Sequence, residues 1–257
     1  MLRDFSNYMN VFDIKHTFVM ENQPRPKIFH RIEYLAEIRN KALKPLKIER
    51  RKGRTDDVLE LIYQYDFQES DFTCPLDFQA VKKKNNELEF RDSWVARDLR
   101  GEKFRSALDL LSYHPETRRR NEQKLPFQVQ CSWNGVAILN PKPFYEKNPI
   151  SFRRSYSDLG ECSASECSLL CNDFWSRGYK RIVAVPEILV SYRLEDAILL
   201  DPVYDKALKV NRTLEEKIKY VNGPPQVICV GLDGNNRINP DQPKLWVNYT
   251  TSGTEIE

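Results

Sequence analysis

An α/β protein with an open, largely parallel sheet covered by helices is the fold that the chain predicts. Three observations carry this expectation. Apolar residues recur at helical spacing in DVLELIYQY and ECSLLCNDFW, short apolar runs such as DFTCPLDF and RIVAV have the length and bounds of strands, and the two kinds of segment alternate along the chain.

The elements follow in order. From Lys27 to Leu46, Ile28, Ile32, Leu35, Ile38 and Ala42 fall at helical intervals among Lys and Arg, and Pro45 marks the end. KIERRKGRT is wholly polar and reads as a loop. Asp56 suits an N-cap for a second helix, whose Val58, Leu61, Ile62 and Tyr65 form one stripe. DFTCPLDF is expected to be a strand that ends in a carboxylate, Asp77, before a loop rich in Lys and Asn. FRDSWVARDLRG has no sustained period and reads as irregular, RSALDLLSY as a short helix, and the stretch around Arg118 to Arg120 as a basic loop.

FQVQCSWNGVAIL reads as one or two strands interrupted by the turn dipeptide Asn134-Gly135. SASECSLLCNDFWSRG is the clearest helix. Ser163 and Glu166 have capping-box spacing, Cys167, Leu170, Cys171 and Phe174 line one face, and Gly178 closes it. RIVAV is a buried strand stopped by Pro186, with ILVSY as another. Beyond Asp201 only a short helix near Leu214 and the strand QVICVGL stand out. The organisation expected is an N-terminal segment over 1–55, a core over 56–200 and a C-terminal extension over 201–257.

With 257 residues, 40% of them hydrophobic, the chain can bury one substantial core. Its 40 Lys and Arg are set among 37 Asp and Glu, and the net charge of +3 argues against a nucleic-acid-binding surface. No stretch has the ~20 apolar residues of a membrane span. Six cysteines, with Asn211-Arg212-Thr213 and Asn248-Tyr249-Thr250 as glycosylation acceptor patterns, lean towards a secretory lumen. Cys162, Cys167 and Cys171 lack zinc-site spacing, and core packing is the simpler account of Cys167 and Cys171. The sequence has no phosphate-cradling Gly-rich loop and no nucleophile elbow.

Open parallel sheets bind ligands at the carboxyl ends of their strands, which is where Asp77 falls. A carboxylate there can hold a divalent cation, and the competing account is a turn cap. Trp133, Asn134 and Gly135 offer an aromatic face, an amide and a turn backbone to a sugar. Glu166 at a helix start can accept a hydrogen bond from an acceptor hydroxyl, unless its capping box occupies it, and Trp133 can equally be core. Asp92, Arg97 and Asp98 crowd one segment and either converge on a polar ligand or pair among themselves.

RIEYLAEIRNKALKPL, DDVLELIYQYDFQESDFTCPLDF, RDSWVARDLRG, LPFQVQCSWNGVAILNPKPF, ECSASECSLLCNDFW and RIVAVPEILVSY together resemble the fungal family of the cryptococcal α-1,3-mannosyltransferase and the capsule-associated proteins, in the family's order from about Arg31 to Tyr192. The resemblance implies a GT-A-like fold, GDP-mannose as donor, a mannan-type glycan acceptor, a divalent cation such as Mn2+, transfer with retention, and residence in the secretory pathway, in the Golgi. It casts Asp77 as the metal residue, Glu166 and Asp98 as catalytic, and Asp92, Arg97, Trp133, Asn134 and Gly135 as substrate-binding.

Family members carry an apolar strand ending in an Asn-Asp-Val-like element where this chain has KIERRKGRT, so the nucleotide-binding part is expected to be incomplete. A catalytically inactive member that binds a glycan or a partner is the alternative expectation.

Overall fold

The computed structural model describes residues 56–81, 87–106, 111–193, 195–196, 199–200, 215–231 and 245–249. The helix expected from Lys27 to Leu46, the KIERRKGRT loop, the helix near Leu214 and the middle of RSALDLLSY lie outside them. The described elements are α1 (Asp56–Phe67), β1 (Phe72–Val81), β2 (Glu87–Phe90), α2 (Pro115–Glu122), β3 (Phe127–Gln128), β4 (Ile138–Leu139), α3 (Glu166–Ser176), β5 (Ile182–Val190), β6 (Val227–Ile228) and β7 (Trp246–Val247). Among them no helix is long and apolar enough to cross a membrane.

The fold is α/β, but its sheet is mixed rather than mostly parallel. β1 and β5 run parallel at its centre. β2 and β4 pair antiparallel with opposite ends of β1, and β3 pairs antiparallel with β5. A short two-stranded β6–β7 ribbon stands apart. Only β1 and β2 are neighbours in the chain and form a hairpin, whereas β4 reaches β1 after α2 and β3 is joined to β5 through α3.

Residues of β5 alternate between two faces. Ile182 and Ala184 join the larger core cluster with Leu170 and Phe174 of α3, and Val183 and Val185 meet Leu61 of α1 in a second cluster. So a helix covers each face. Edge and tilted contacts link Phe78, Phe90, Phe104 and Phe127 in a chain of rings, with successive centroids between 5.3 and 6.2 Å apart.

Several local expectations are corrected. In α1, Ile62 is exposed, and the buried positions are Leu61 and Gln64, with Gln68 just past the helix end. The segment around Arg118 to Arg120 is helix α2, not a loop. Pro115 occupies its first turn, His114 is the N-cap and accepts from Thr117 N at 3.3 Å, and Arg118 pairs with Glu122 one turn on. Ser165, not Ser163, caps α3 by accepting from Cys167 N at 3.3 Å. Gly178, with φ +85°, ends that helix as expected.

Pro186 does not stop a strand, because β5 runs through it. The β1–β5 ladder slips there instead, from Cys74 opposite Ala184 to Leu76 opposite Leu189. Pro75 and Pro186 both lack an N–H, so the ladder breaks where neither strand can donate.

Disulfides join Cys131 to Cys171 and Cys162 to Cys229, which corrects the core-packing account of Cys171, while Cys74 and Cys167 are buried thiols. A downstream segment straps α1 and α2. Gln68 accepts from Ile218 N at 2.8 Å and donates to Glu216 O, and Gln128 accepts from Val221 N and donates to Val221 O, both at 3.0 Å. Arg120, 1% exposed, donates to Pro126 O and to Glu216.

Candidate functional site

Past the slip in the ladder, Asp77 stands opposite Val190 where the parallel pairing of β1 and β5 ends. It is 1% exposed. β1 then continues into its hairpin with β2, whose exit brings Arg91 back: Arg91 N donates to Asp77 O at 2.9 Å and Arg91 Nη1 to Asp77 Oδ2 at 3.3 Å.

The Asn134-Gly135 turn arrives from the other side. Both residues have positive φ, +55° and +86°, as the tight turn expected of this dipeptide requires. Asn134 is fully buried and bridges three segments. Its Nδ2 donates to Pro75 O at 2.5 Å and to Ser132 Oγ at 2.6 Å, and its backbone N donates to Asp92 Oδ2 at 3.3 Å. Gly135 faces Tyr192, so that a Cβ placed on it would lie 3.2 Å from the tyrosine Oη. The Arg91 guanidinium lies 3.7 Å from the centre of the same tyrosine ring.

Four of the sequence-derived candidates therefore converge: Asp77, Asp92, Asn134 and Gly135. Arg91 and Tyr192 join them and were not singled out from sequence. The available signal was adjacency, since Arg91 precedes Asp92 and Tyr192 closes the ILVSY run.

Burial pushes the Asp77 carboxyl up to about 7, with Asp92 and Asp196 adding to the shift and Arg91 opposing it. Burial likewise raises Asp92 to about 6, against the hydrogen bond from Asn134 and the charge of Arg91. Asp77 Oδ1 and Asn134 Oδ1 are buried acceptors without a hydrogen-bond partner among the described residues. A flip of the Asn134 amide would set its oxygen against Pro75 O, so the unused acceptor keeps its direction. Buried acceptors left unused are costly, and a ligand that donates hydrogen bonds or carries positive charge removes that cost.

The other candidates take different places. Arg97 is buried, with Nε donating to Ile228 O at 3.0 Å and Nη1 to Trp94 O and Ala96 O at 3.0 and 2.8 Å, so it ties its loop to β6. Burial lowers its guanidinium to about 10. Asp98 Oδ1 accepts from Arg100 N at 2.8 Å and Glu102 N at 3.1 Å, and its Oδ2 accepts from Ser112 Oγ. Trp133 is half-buried and edge-on to Phe72 and Phe152, with centroids 5.9 and 5.5 Å away. Glu166 is 1% exposed at the start of α3, where Ser165 Oγ donates to its Oε2 at 3.1 Å. The Cys131–Cys171 bond holds that helix against the segment that runs from β3 to Asn134.

For a divalent cation the donor atoms fit in kind, since Asp77, Asp92 and Asn134 offer the oxygen ligands that hard cations take. Among the described residues, however, no group of three or more His, Cys, Asp or Glu is placed to hold one.

A family model described as Cryptococcal mannosyltransferase 1 matches residues 1–173. An α-1,3-mannosyltransferase of Cryptococcus neoformans var. neoformans serotype D is 32% identical over 235 residues, 77% of this chain and 49% of that protein. The chain thus spans about half the length of that curated relative. No solved structure matches it. With its family model covering well over half of the residues, this chain belongs to the cryptococcal mannosyltransferase 1 family.

Proposed function

We propose that this chain forms the acceptor-side part of a GT-A-like enzyme that transfers mannose from GDP-mannose to a mannan-type glycan, in α-1,3 linkage and with retention. Family membership supports the reaction class. The observation that carries the site is the pair of buried, unused acceptor oxygens on Asp77 and Asn134 where the parallel strands end. Two such oxygens, with Asp92 beside them, suit a cation that a sugar diphosphate brings.

In this reading Asp77, Asp92 and Asn134 Oδ1 would hold a divalent cation such as Mn2+, which supplies charge neutralisation of the leaving diphosphate. Glu166 accepts the hydrogen bond of the acceptor hydroxyl and fixes its direction, and Trp133 borders the sugar. The departing phosphate oxygen receives the proton of the attacking hydroxyl, so no side-chain base is required. Arg97 and Asp98, whose polar atoms are engaged at home, shape the loop that carries Asp92. Two disulfides suit an oxidising lumen and support a place in the secretory pathway, for which we propose the Golgi.

A second reading, glycan binding without transfer, draws on the absence of a three-residue metal-binding group among the described residues. One assay separates the two. Full-length protein carrying this chain is given GDP-mannose, Mn2+ and an α-mannoside. Transfer that falls ~100-fold or more in Asp77→Asn with the fold intact supports the enzyme. Mannoside binding with no consumption of donor moves the conclusion to the binding reading.

A further inference from the structure

We infer that Asn248 carries an N-linked oligosaccharide. The sequence Asn248-Tyr249-Thr250 has the acceptor pattern, and the structure turns the right side chain outward. Along the end of β7 the side chains alternate: Trp246 and Asn248 are exposed, and Tyr249 is 4% exposed. Tyr249 is anchored by its ring, edge-on to Trp175 at 6.0 Å, and by Gly223, where a Cβ would come within 2.4 Å of the tyrosine Oη. With the middle residue fixed inward, the Asn248 side chain has one direction to take. Its described partner is Gln226 Nε2, an exposed donor 3.3 Å from Oδ1, which leaves Nδ2 open to chemistry.

The second observation concerns compartment. β6, the partner strand of β7, leads into Cys229, whose disulfide with Cys162 belongs to an oxidising lumen, where a lipid-linked oligosaccharide donor is met. In the transfer a bond forms between Asn248 Nδ2 and the anomeric carbon of the oligosaccharide. The anomeric carbon–oxygen bond to the lipid diphosphate breaks, the diphosphate leaves with the electron pair, and the amide loses one proton. A bulky, solvated glycan there covers the exposed Leu245 and Trp246 side chains.

The inference stands apart from the mannosyl-transfer reading and needs only the lumen. The test takes the full-length protein from its native host and treats it with peptide N-glycanase. Expected is conversion of Asn248 to Asp in the peptide mass spectrum after treatment, and loss of one gel-mobility step in Asn248→Gln and in Thr250→Ala. Thr250→Ser keeps the step, which separates loss of the acceptor pattern from misfolding. Recovery of Asn248 unmodified before treatment overturns the inference, whether Cys162 and Cys229 are bonded or free. Transfer activity measured on the same preparation reports on the enzyme reading separately.

Discussion

Arg91 stacks its guanidinium 3.7 Å from the centre of the Tyr192 ring while one of its nitrogens meets Asp77 Oδ2 at 3.3 Å. The arginine is held from two directions at the mouth of the candidate site. Removing the ring in Tyr192→Ala frees it, and under the proposed mannosyl transfer the expected outcome is a KM for the donor raised several-fold with kcat less affected, a cation–π loss of about 1 kcal/mol. Tyr192→Phe keeps the stack and should stay near the native value. Steady-state kinetics on the three proteins checks this.

Gly135 has φ +86° and faces the Tyr192 hydroxyl. Gly135→Ala adds both backbone strain and a tight contact, and should lower stability by about 1 to 2 kcal/mol. Urea titration reads the loss, and tyrosine fluorescence reads the displaced ring.

The raised Asp77 carboxyl makes stability depend on pH. Folded Asp77 binds its proton up to about 7, whereas the unfolded chain releases it near pH 4. The folded state therefore holds more protons in this window, and stability falls as pH rises through it. In chelator, melting curves between pH 4 and 8 should show this fall, up to about 4 kcal/mol from Asp77 alone. Asp77→Asn should remove most of it, leaving the smaller contribution of Asp92.

Arg153 lies half-buried between two carboxylates, with Nη1 2.7 Å from Glu161 Oε2 and Nη2 2.8 Å from Asp173 Oδ1. Truncation in Arg153→Ala leaves Glu161, before α3, and Asp173, within it, without this counter-charge. A loss of about 3 to 5 kcal/mol is expected by denaturant unfolding, with Arg153→Lys intermediate because it cannot fork to both partners.

The Cys162–Cys229 bond closes a long loop, with a sequence separation of 67. Changing both residues to Ala should cost about 4 kcal/mol, mainly by freeing the unfolded chain. Thermal melts of that variant and of the native protein with and without reductant check the prediction.

What the sequence made legible was the local order. The stripe that ends at Phe174 and the Asn134-Gly135 dipeptide each contain their own signal, one a period and the other a steric preference. Pro186 was misread because a strand can run through a proline where its ladder slips: Pro75 and Pro186 both lack an N–H at the slip, and Pro75 O is met instead by Asn134 Nδ2. The run Arg118 to Arg120 suggested a loop by its charge, yet Pro115 at the first turn and the Glu116–Arg119 pair were helix signals within it. The cysteine pairs were beyond reach, since which sulfurs meet depends on tertiary contacts. In the site, Asp77, Asp92, Asn134 and Gly135 were legible one by one. Their meeting was not, because it depends on a hairpin, a turn and a register slip that act together.

The strap made by Glu216 to Val221 sets a schedule for folding. Gln68 finds its partner Ile218 at a separation of 150 residues, and Gln128 finds Val221 at a separation of 93. On a ribosome that emits the chain from its amino end, Gln68 after α1 and Gln128 in β3 emerge long before the segment that satisfies their buried amides. Closing such distant contacts is slow, and the waiting intermediate has apolar and polar groups uncovered at once. Final consolidation of this half of the sheet therefore belongs after translation of Val221, in the time when chaperones can act on the chain.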